Sequence, residues 1–150
     1  MLVVIAQPEE ITLVKELGFE NNPILITGVG GLNVFNALER IPKDTEILNI
    51  GYVGSSYYKV GTIVEVYSVK TYHEKAKFYE PIELLQVKNN YDDVCICYTS
   101  SDFVTKTNID GACVFDMELA YIRSMFYNVR SIKVVSDNLN KKQYDKTIGG

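Results

Sequence analysis

Apolar and polar residues along the chain form two kinds of pattern, short apolar runs typical of buried strands and longer amphipathic stretches typical of helices. Strands are predicted at 1–6, 24–27, 46–50, 62–72, 94–98, 112–115 and 132–135. Helices are predicted from Pro8, over 32–41, and from Asp116 to about Asn128. Alternating strands and helices favour an α/β domain, with three α/β/α layers around a central mixed sheet, that spans residues 1–150.

Local signals support these boundaries. Pro8, followed by Glu9 and Glu10 in the first turn, is a typical helix start, and Pro42 ends the second helix. The strand at 62–72 is predicted to be antiparallel. Residues 75–90 give no clear prediction, and the polar residues from Asn138 onward are predicted to form a solvated tail.

Two carboxylates interrupt the apolar run at 111–122. Asp116 fits a helix cap. Glu118 has mostly apolar neighbours in the sequence, which leaves a structural and a functional interpretation of this residue equally open. The next apolar run ends in Ser136 and Asp137. Strands that end in acids place carboxylates on one rim of a sheet, which in open α/β folds is where ligands bind.

Glycines follow two of the predicted strands. Gly28-Val29-Gly30-Gly31 lies between a strand and a helix, but Asn33 replaces the third glycine of a dinucleotide fingerprint, and no acid ends the following strand. There is also no Gly-Lys-Ser/Thr, which argues against a P-loop. The run 51–56 is predicted to be a loop whose glycines allow close backbone approach or positive φ. No cofactor is predicted.

Composition excludes several classes of function. A net charge of −4 and a pI near 5.0 argue against binding to nucleic acid or to an anionic membrane. No stretch is predicted to span a membrane or to act as a signal peptide, and three Cys without a signal fit a reducing cytoplasm. The lone His73 argues against a metal site, and only His73 itself is available as the base of a Ser-His-Asp triad.

Six short segments, taken in order, resemble the nucleoside phosphorylase and nucleosidase superfamily. The closest resemblance is to the 5′-methylthioadenosine/S-adenosylhomocysteine nucleosidases, in a shortened form with 13 residues after Asp137. The resemblance implies a phosphorylase/hydrolase-like fold. The segments that carry it are 8–13, 27–30, 49–54, 59–64, 115–118 and 135–137.

The resemblance also implies a reaction, the hydrolysis of the N-glycosidic bond of a purine nucleoside. In it, Asp137 protonates the departing base, Glu10 positions water and Glu118 holds the ribose diol. It further implies a homodimer and a set of supporting residues: Ser136 beside Asp137, Met117 against the ribose, Phe103 stacked on the base, Val104 supplying main-chain bonds, Gly30 in the first glycine loop, and Tyr52 where a small residue is usual.

Other functions remain open. A phosphorylase needs a phosphate site, usually with Arg, but Arg40, Arg123 and Arg130 all lie outside the glycine loops, which favours water as the acceptor. A degenerate relative that binds a nucleoside without turnover is a second alternative. A scaffold subunit without a ligand is a third.

Overall fold

The computed structural model describes residues 1–72 and 83–149. These ranges contain eight strands and four α-helices. The strands are β1 (Leu2–Ile5), β2 (Ile24–Ile26), β3 (Glu46–Gly54), β4 (Ile63–Thr71), β5 (Glu83–Leu84), β6 (Asp93–Thr99), β7 (Cys113–Asp116) and β8 (Asn128–Asp137). The helices are α1 (Ile11–Glu16), α2 (Gly31–Leu38), α3 (Leu119–Met125) and α4 (Lys141–Gly149).

All eight strands belong to one mixed sheet. Strands β2, β1, β3 and β8 run parallel to one another in that order. Strand β4 is antiparallel to β8 and to the short edge strand β5. It is also parallel to β6, so the antiparallel prediction for this strand is correct for two of its three neighbours.

The sheet closes on itself at one end. Strand β7 pairs in parallel with β6, and its Phe115 pairs with Gly54 of β3 in antiparallel fashion. Strands β3, β8, β4, β6 and β7 therefore form a ring of hydrogen-bonded neighbours. Closure leaves those five strands with partners on both sides, and it brings the ends of β3, β7 and β8 together.

Helices cover both faces of the sheet. Side chains of β1 alternate between the faces, so that Val4 packs in a cluster with residues of α2 and α3, whereas Val3 and Ile5 pack with residues of α1. Helices α1, α2 and α3 each bury apolar side chains against their side of the sheet. The predicted α/β fold with a central mixed sheet is thereby confirmed.

The loop predicted at 51–56 is wrong for its first four residues. Strand β3 continues through Gly54, because it pairs with β8 along its whole length, from Glu46 opposite Asn128 to Gly54 opposite Asp137. Strand β8 likewise extends beyond the predicted 132–135 at both ends. Tertiary pairing outweighs the weak strand propensity of glycine at these positions.

The polar tail predicted from Asn138 is also wrong, because α4 occupies most of it. The helix has little apolar surface and docks through polar contacts instead. The hydroxyl of Thr147 donates to the carbonyl oxygen of Ser136 at 2.9 Å, and Gln7 donates to the hydroxyl of Tyr144 at 2.5 Å. A helix held in this way gives no amphipathic signal in the sequence.

The first predicted helix begins differently from the expectation. Pro8–Glu10 forms a single 3₁₀ turn, and the α-helix starts only at Ile11. The second helix ends at Leu38, three residues before the predicted Ile41. Within residues 1–72 and 83–149, no helix is long and apolar enough to cross a membrane.

Two leucines on different helices test the packing of the sheet. Leu119 of α3 is fully buried, whereas Leu32 of α2 is 75% exposed. Leu119→Ala should lower the free energy of unfolding by about 2–5 kcal/mol, because it removes buried methyl groups and leaves a cavity. Leu32→Ala should change it by no more than about 0.5 kcal/mol. Urea denaturation measures both, and equal effects would contradict the assignment of the core.

Candidate active site

A cleft lies where the ends of β1, β3, β7 and β8 meet. It is lined by Ala6 after β1, by Gly54 at the end of β3, and by Asp116 and Asp137 at the ends of β7 and β8. Its empty volume is about 530 Å³ when the open mouth is included.

The structure brings the three carboxylates singled out in the sequence into this cleft. Glu10, Glu118 and Asp137 all line it, although they are far apart in the chain. The other predicted lining residues are there too, namely Tyr52, Phe103, Val104 and Met117. Gly30 and Ser136 contribute from behind, because each donates a hydrogen bond to one of these carboxylates.

Glu10 is held by backbone donors. Its Oε1 accepts from the N–H groups of Ala6 and Gln7 at 2.9 and 3.1 Å, and its Oε2 accepts from the N–H of Tyr52 at 2.7 Å. The residue is only 3% exposed, and burial raises the pKa of its carboxyl, while these donors and the charge of Lys133 oppose the rise. Glu10 is therefore a fixed carboxylate whose affinity for protons is enhanced, as a general base requires.

The glycines of β3 make room for these acids. A Cβ atom on Gly51 would lie 2.8 Å from Oε2 of Glu10, and one on Gly54 would lie 3.0 Å from Oδ2 of Asp137. A side chain at position 51 would displace the Glu10 carboxylate, and one at position 54 would crowd Asp137. The expectation of close backbone approach is thus met at both positions, within a strand and not in a loop.

Glu118 is anchored from the first glycine turn. The N–H of Gly30 donates to its Oε2 at 2.9 Å, and Gly28 and Gly30 adopt φ near +90°, a conformation that favours glycine. Burial raises the pKa of Glu118 to about 8, and the neighbouring charge of Asp116 adds to the rise. Near neutral pH both the neutral and the ionised form of its carboxyl group are therefore populated.

Asp137 has a polar setting of its own. Its Oδ1 accepts from the hydroxyl of Ser136 at 2.7 Å, and its Oδ2 accepts from the N–H of Leu139 at 3.0 Å. Burial raises the pKa of its carboxyl group, while these hydrogen bonds counteract the rise. A carboxyl group with a raised pKa that borders a cleft is suited to donate a proton.

Asp116 and Lys133 form a buried ion pair beneath the cleft. The ammonium of Lys133 donates to Oδ2 of Asp116 at 3.2 Å, Thr99 donates to Oδ1 at 2.5 Å, and the N–H of Leu119 donates to Oδ2 at 2.7 Å. The last of these bonds confirms the predicted capping role of Asp116, although α3 begins at Leu119 and not at Asp116 itself.

Sequence reasoning missed Lys133 and the contribution of α4. The position of Lys133 between Ile132 and Val134, in an apolar strand, could have indicated a buried cation. Nothing in the polar C-terminal segment indicated that Tyr144 lines the cleft. Tyr144 lines the cleft, and its ring packs edge-on against Phe103 at 5.3 Å. The helix α4 therefore forms one wall of the cleft beside the aromatic ring predicted to stack on a base.

Tyr52 contributes to the cleft through its backbone N–H as well as through its side chain. Its N–H donates to Glu10, and its side chain packs against the apolar cluster that surrounds α1. Burial raises the pKa of its phenol, and the charges of Glu16 and Glu10 add to the rise.

The described residues contain no group of three His, Cys, Asp or Glu side chains placed to hold a metal ion. His73 lies outside the described residues.

Comparison of the sequence with protein-family models and with curated proteins finds no match. Comparison of the structure with solved structures does find similarity. A 5′-methylthioadenosine/S-adenosylhomocysteine nucleosidase from Neisseria meningitidis, in complex with methylthio-immucillin-A, superimposes with a TM-score of 0.74 at 16% identity, over 98% of this chain and 90% of the other.

Two further structures are similar to the same degree. The Streptococcus pneumoniae MTA/SAH nucleosidase in complex with 8-aminoadenine gives a TM-score of 0.74 at 17% identity, over 98% of this chain and 91% of the other. A D161N variant of the Chlamydia trachomatis enzyme bound to MTA gives a TM-score of 0.75 at 16% identity, over 99% of this chain and 86% of the other. The resemblance to this family is confirmed at the level of the fold.

The raised pKa of Glu118 predicts a pH-dependent stability. Because the folded pKa lies above the unfolded value, the contribution of this carboxyl group is complete below about pH 4.5 and is lost as pH rises through about 8. Between pH 5 and pH 8.5, the free energy of unfolding should fall less in Glu118→Gln than in the wild type. Urea denaturation at several pH values measures this difference.

A matched control is Glu9→Gln, which changes an exposed glutamate on the 3₁₀ turn. This variant should keep the wild-type pH dependence. If Glu118→Gln also keeps it, Glu118 does not carry a raised pKa in the folded protein.

Proposed function

We propose that this protein hydrolyses the N-glycosidic bond of a purine nucleoside of the 5′-methylthioadenosine/S-adenosylhomocysteine type, with residues 1–150 acting as one nucleosidase-like domain. The observation that carries the proposal is the convergence in one cleft of three carboxyl groups with raised pKa values, of which Glu10 and Asp137 are buried and Glu118 is half-buried. The fold is shared with nucleosidases whose structures contain MTA or methylthio-immucillin-A.

Asp137 acts as the general acid in this proposal. Cleavage of the glycosidic bond leaves negative charge on the departing base, and a proton delivered to the base relieves it. Its raised pKa and its position on the cleft wall support this role. The Ser136 hydroxyl fixes one oxygen of the carboxyl group, so that its orientation is set before a substrate binds.

Glu10 orients and deprotonates the attacking water. The three backbone N–H groups that hold it leave the carboxylate little freedom to rotate, which is an advantage for a group that must aim a small nucleophile. Its burial and raised pKa support its action as a base.

Glu118 binds the ribose hydroxyls. Among the described residues it receives one hydrogen bond, from Gly30, whereas Glu10 receives three. It therefore keeps the acceptor capacity that a 2′,3′-diol needs. Met117 then lies against the sugar, while Phe103 and Val104 contact the base.

Two alternatives give different outcomes in the same assays. A phosphorylase needs a cation for phosphate, but Arg123 bonds to the carbonyl oxygens of Leu84 and Phe126, and Arg130 pairs with Glu65 away from the cleft. A nucleoside-binding protein without turnover would bind the ligand through Glu118 and release no base.

We further propose that the protein acts as a homodimer in the cytoplasm. Leu32 and Phe35 of α2 are 75% and 55% exposed, next to Val29, which lines the cleft. Exposed apolar side chains grouped in this way are typical of contact surfaces. The three cysteines are buried and unpaired, which fits a reducing compartment.

Replacing the acid separates catalysis from binding. In Asp137→Asn, the amide can donate to Ser136 and accept from Leu139, so the variant should fold and bind a nucleoside. It should nevertheless lose kcat by roughly 10²–10⁴-fold, because an amide cannot deliver the proton. Steady-state release of adenine from 5′-methylthioadenosine measures the loss. The exposed Asp44→Asn is the control, and equal rates in Asp137→Asn and wild type would exclude this acid.

The proposed acceptor is water. Base release should therefore proceed at the same rate in phosphate and in sulfate buffer of equal ionic strength, and the sugar product should carry no phosphate. Chromatography and mass spectrometry of the products distinguish the two outcomes. Activity that appears only with phosphate and yields a sugar phosphate would identify a phosphorylase.

A further inference from the structure

Lys133 occupies an unusual position inside the ring of strands. It lies on β8 opposite Gly51 of β3, and only 2% of the residue is exposed. Its ammonium donates to Asp116 at 3.2 Å. A buried cation is costly unless it is paired, and this pair accounts for why Lys133 is tolerated. It does not by itself explain why the ammonium also lies next to Glu10.

The absence of a side chain at Gly51 brings Lys133 and Glu10 together. The Cβ position of Gly51 lies 3.4 Å from the ammonium nitrogen of Lys133 and 2.8 Å from Oε2 of Glu10. Both charged groups therefore border the same space, which a side chain at position 51 would otherwise fill. Because both residues are buried, water screens the interaction between their charges only weakly, and the charge of Lys133 acts to lower the pKa of Glu10.

The surrounding charges keep Lys133 protonated. Burial by itself lowers the pKa of its ammonium, but the nearby acidic groups raise it, and the net direction is upward. The groups that act on Lys133 are Asp116, Cys97, Glu118 and Glu10. The ionisable groups whose charges interact with Glu10 are Lys133, Glu118, Tyr52 and Tyr144.

We propose that Lys133 is a positioning residue that keeps the Glu10 carboxylate ionised and turned toward its backbone donors, ready to act on water. The inference rests on the proposed function, since it assigns Lys133 a part in that reaction. A purely structural role, in which Lys133 only neutralises Asp116, is the competing interpretation.

The chain offers a matched control on the same strand. Arg130, also on β8, forms a buried ion pair with Glu65 at 2.6 Å, and the two side chains are 8% and 0% exposed. Arg130 lies away from the cleft. Removing either cation breaks a buried pair and should destabilise the fold, but only Lys133 faces Glu10.

The test follows the Glu10 carboxyl directly by ¹³C NMR titration, with its signal assigned by its loss in Glu10→Gln. Lys133→Met should move the titration of Glu10 upward by about one to two pH units, because a neighbouring positive charge is lost. Arg130→Met should leave it in place, and Lys133→Arg should restore it toward the wild-type value. Lys133→Gln, whose amide can still donate to Asp116, serves if the Met variant does not fold.

Kinetics supply a second readout. The acid limb of the kcat/KM profile should move upward in Lys133→Met together with the NMR titration, because a higher pH is then needed to ionise the base. An unchanged Glu10 titration in Lys133→Met, or an equal shift in Arg130→Met, would overturn the inference.

The two proposals fail separately. If the wild type releases no base while Lys133→Met still shifts Glu10, the proposed function is wrong and the electrostatic link stands. If the wild type is active and Glu10 does not respond to Lys133, the function stands and the link is wrong.

Discussion

The pairing of β3 with β8 is the constraint on which the cleft depends. These parallel strands stay in register from Glu46 opposite Asn128 to Val53 opposite Val135, and then shift by one residue so that Gly54 meets Asp137. This pairing sets the height of Asp137 beside β3 and places Lys133 opposite Gly51. Glycine at 51 and 54 suits this arrangement, because a side chain there would displace Glu10 or crowd Asp137.

Much of this arrangement was visible in the sequence. Asp137 and Asp116 end apolar runs, and an acid at such a position marks the rim of a sheet whatever the details of strand order. The existence and type of most helices and strands likewise followed from the local spacing of their apolar residues. Glu10, Glu118 and Asp137 were identified from such local features, together with a resemblance spread over six segments.

What escaped prediction was fixed by tertiary contacts. The run Gly51-Tyr52-Val53-Gly54 has the composition of a loop, yet it is a strand because neighbours on both sides supply its hydrogen bonds. Helix α4 has almost no apolar face, so that periodicity could not reveal it or the place of Tyr144 in the cleft wall. Closure of the sheet through Phe115 and Gly54 depends on a single antiparallel pair, which no local pattern encodes.

The free-energy cost of burying several carboxylates in one cleft is limited by the hydrogen bonds and the positive charge that stabilise them. Among the buried side-chain polar atoms of the described residues, only the hydroxyl of Thr71 lacks a hydrogen-bond partner. Glu10 and Asp137 are held mainly by hydrogen bonds, and burial still leaves the pKa of each raised, whereas Asp116 is paired directly with the buried ammonium of Lys133. Backbone donors thus stabilise these carboxylates enough for the fold to tolerate them while their affinity for protons stays high. A salt bridge to each acid would stabilise the ionised form and make proton transfer harder, so the use of a single buried lysine for several carboxylates is consistent with a cleft built for acid–base chemistry.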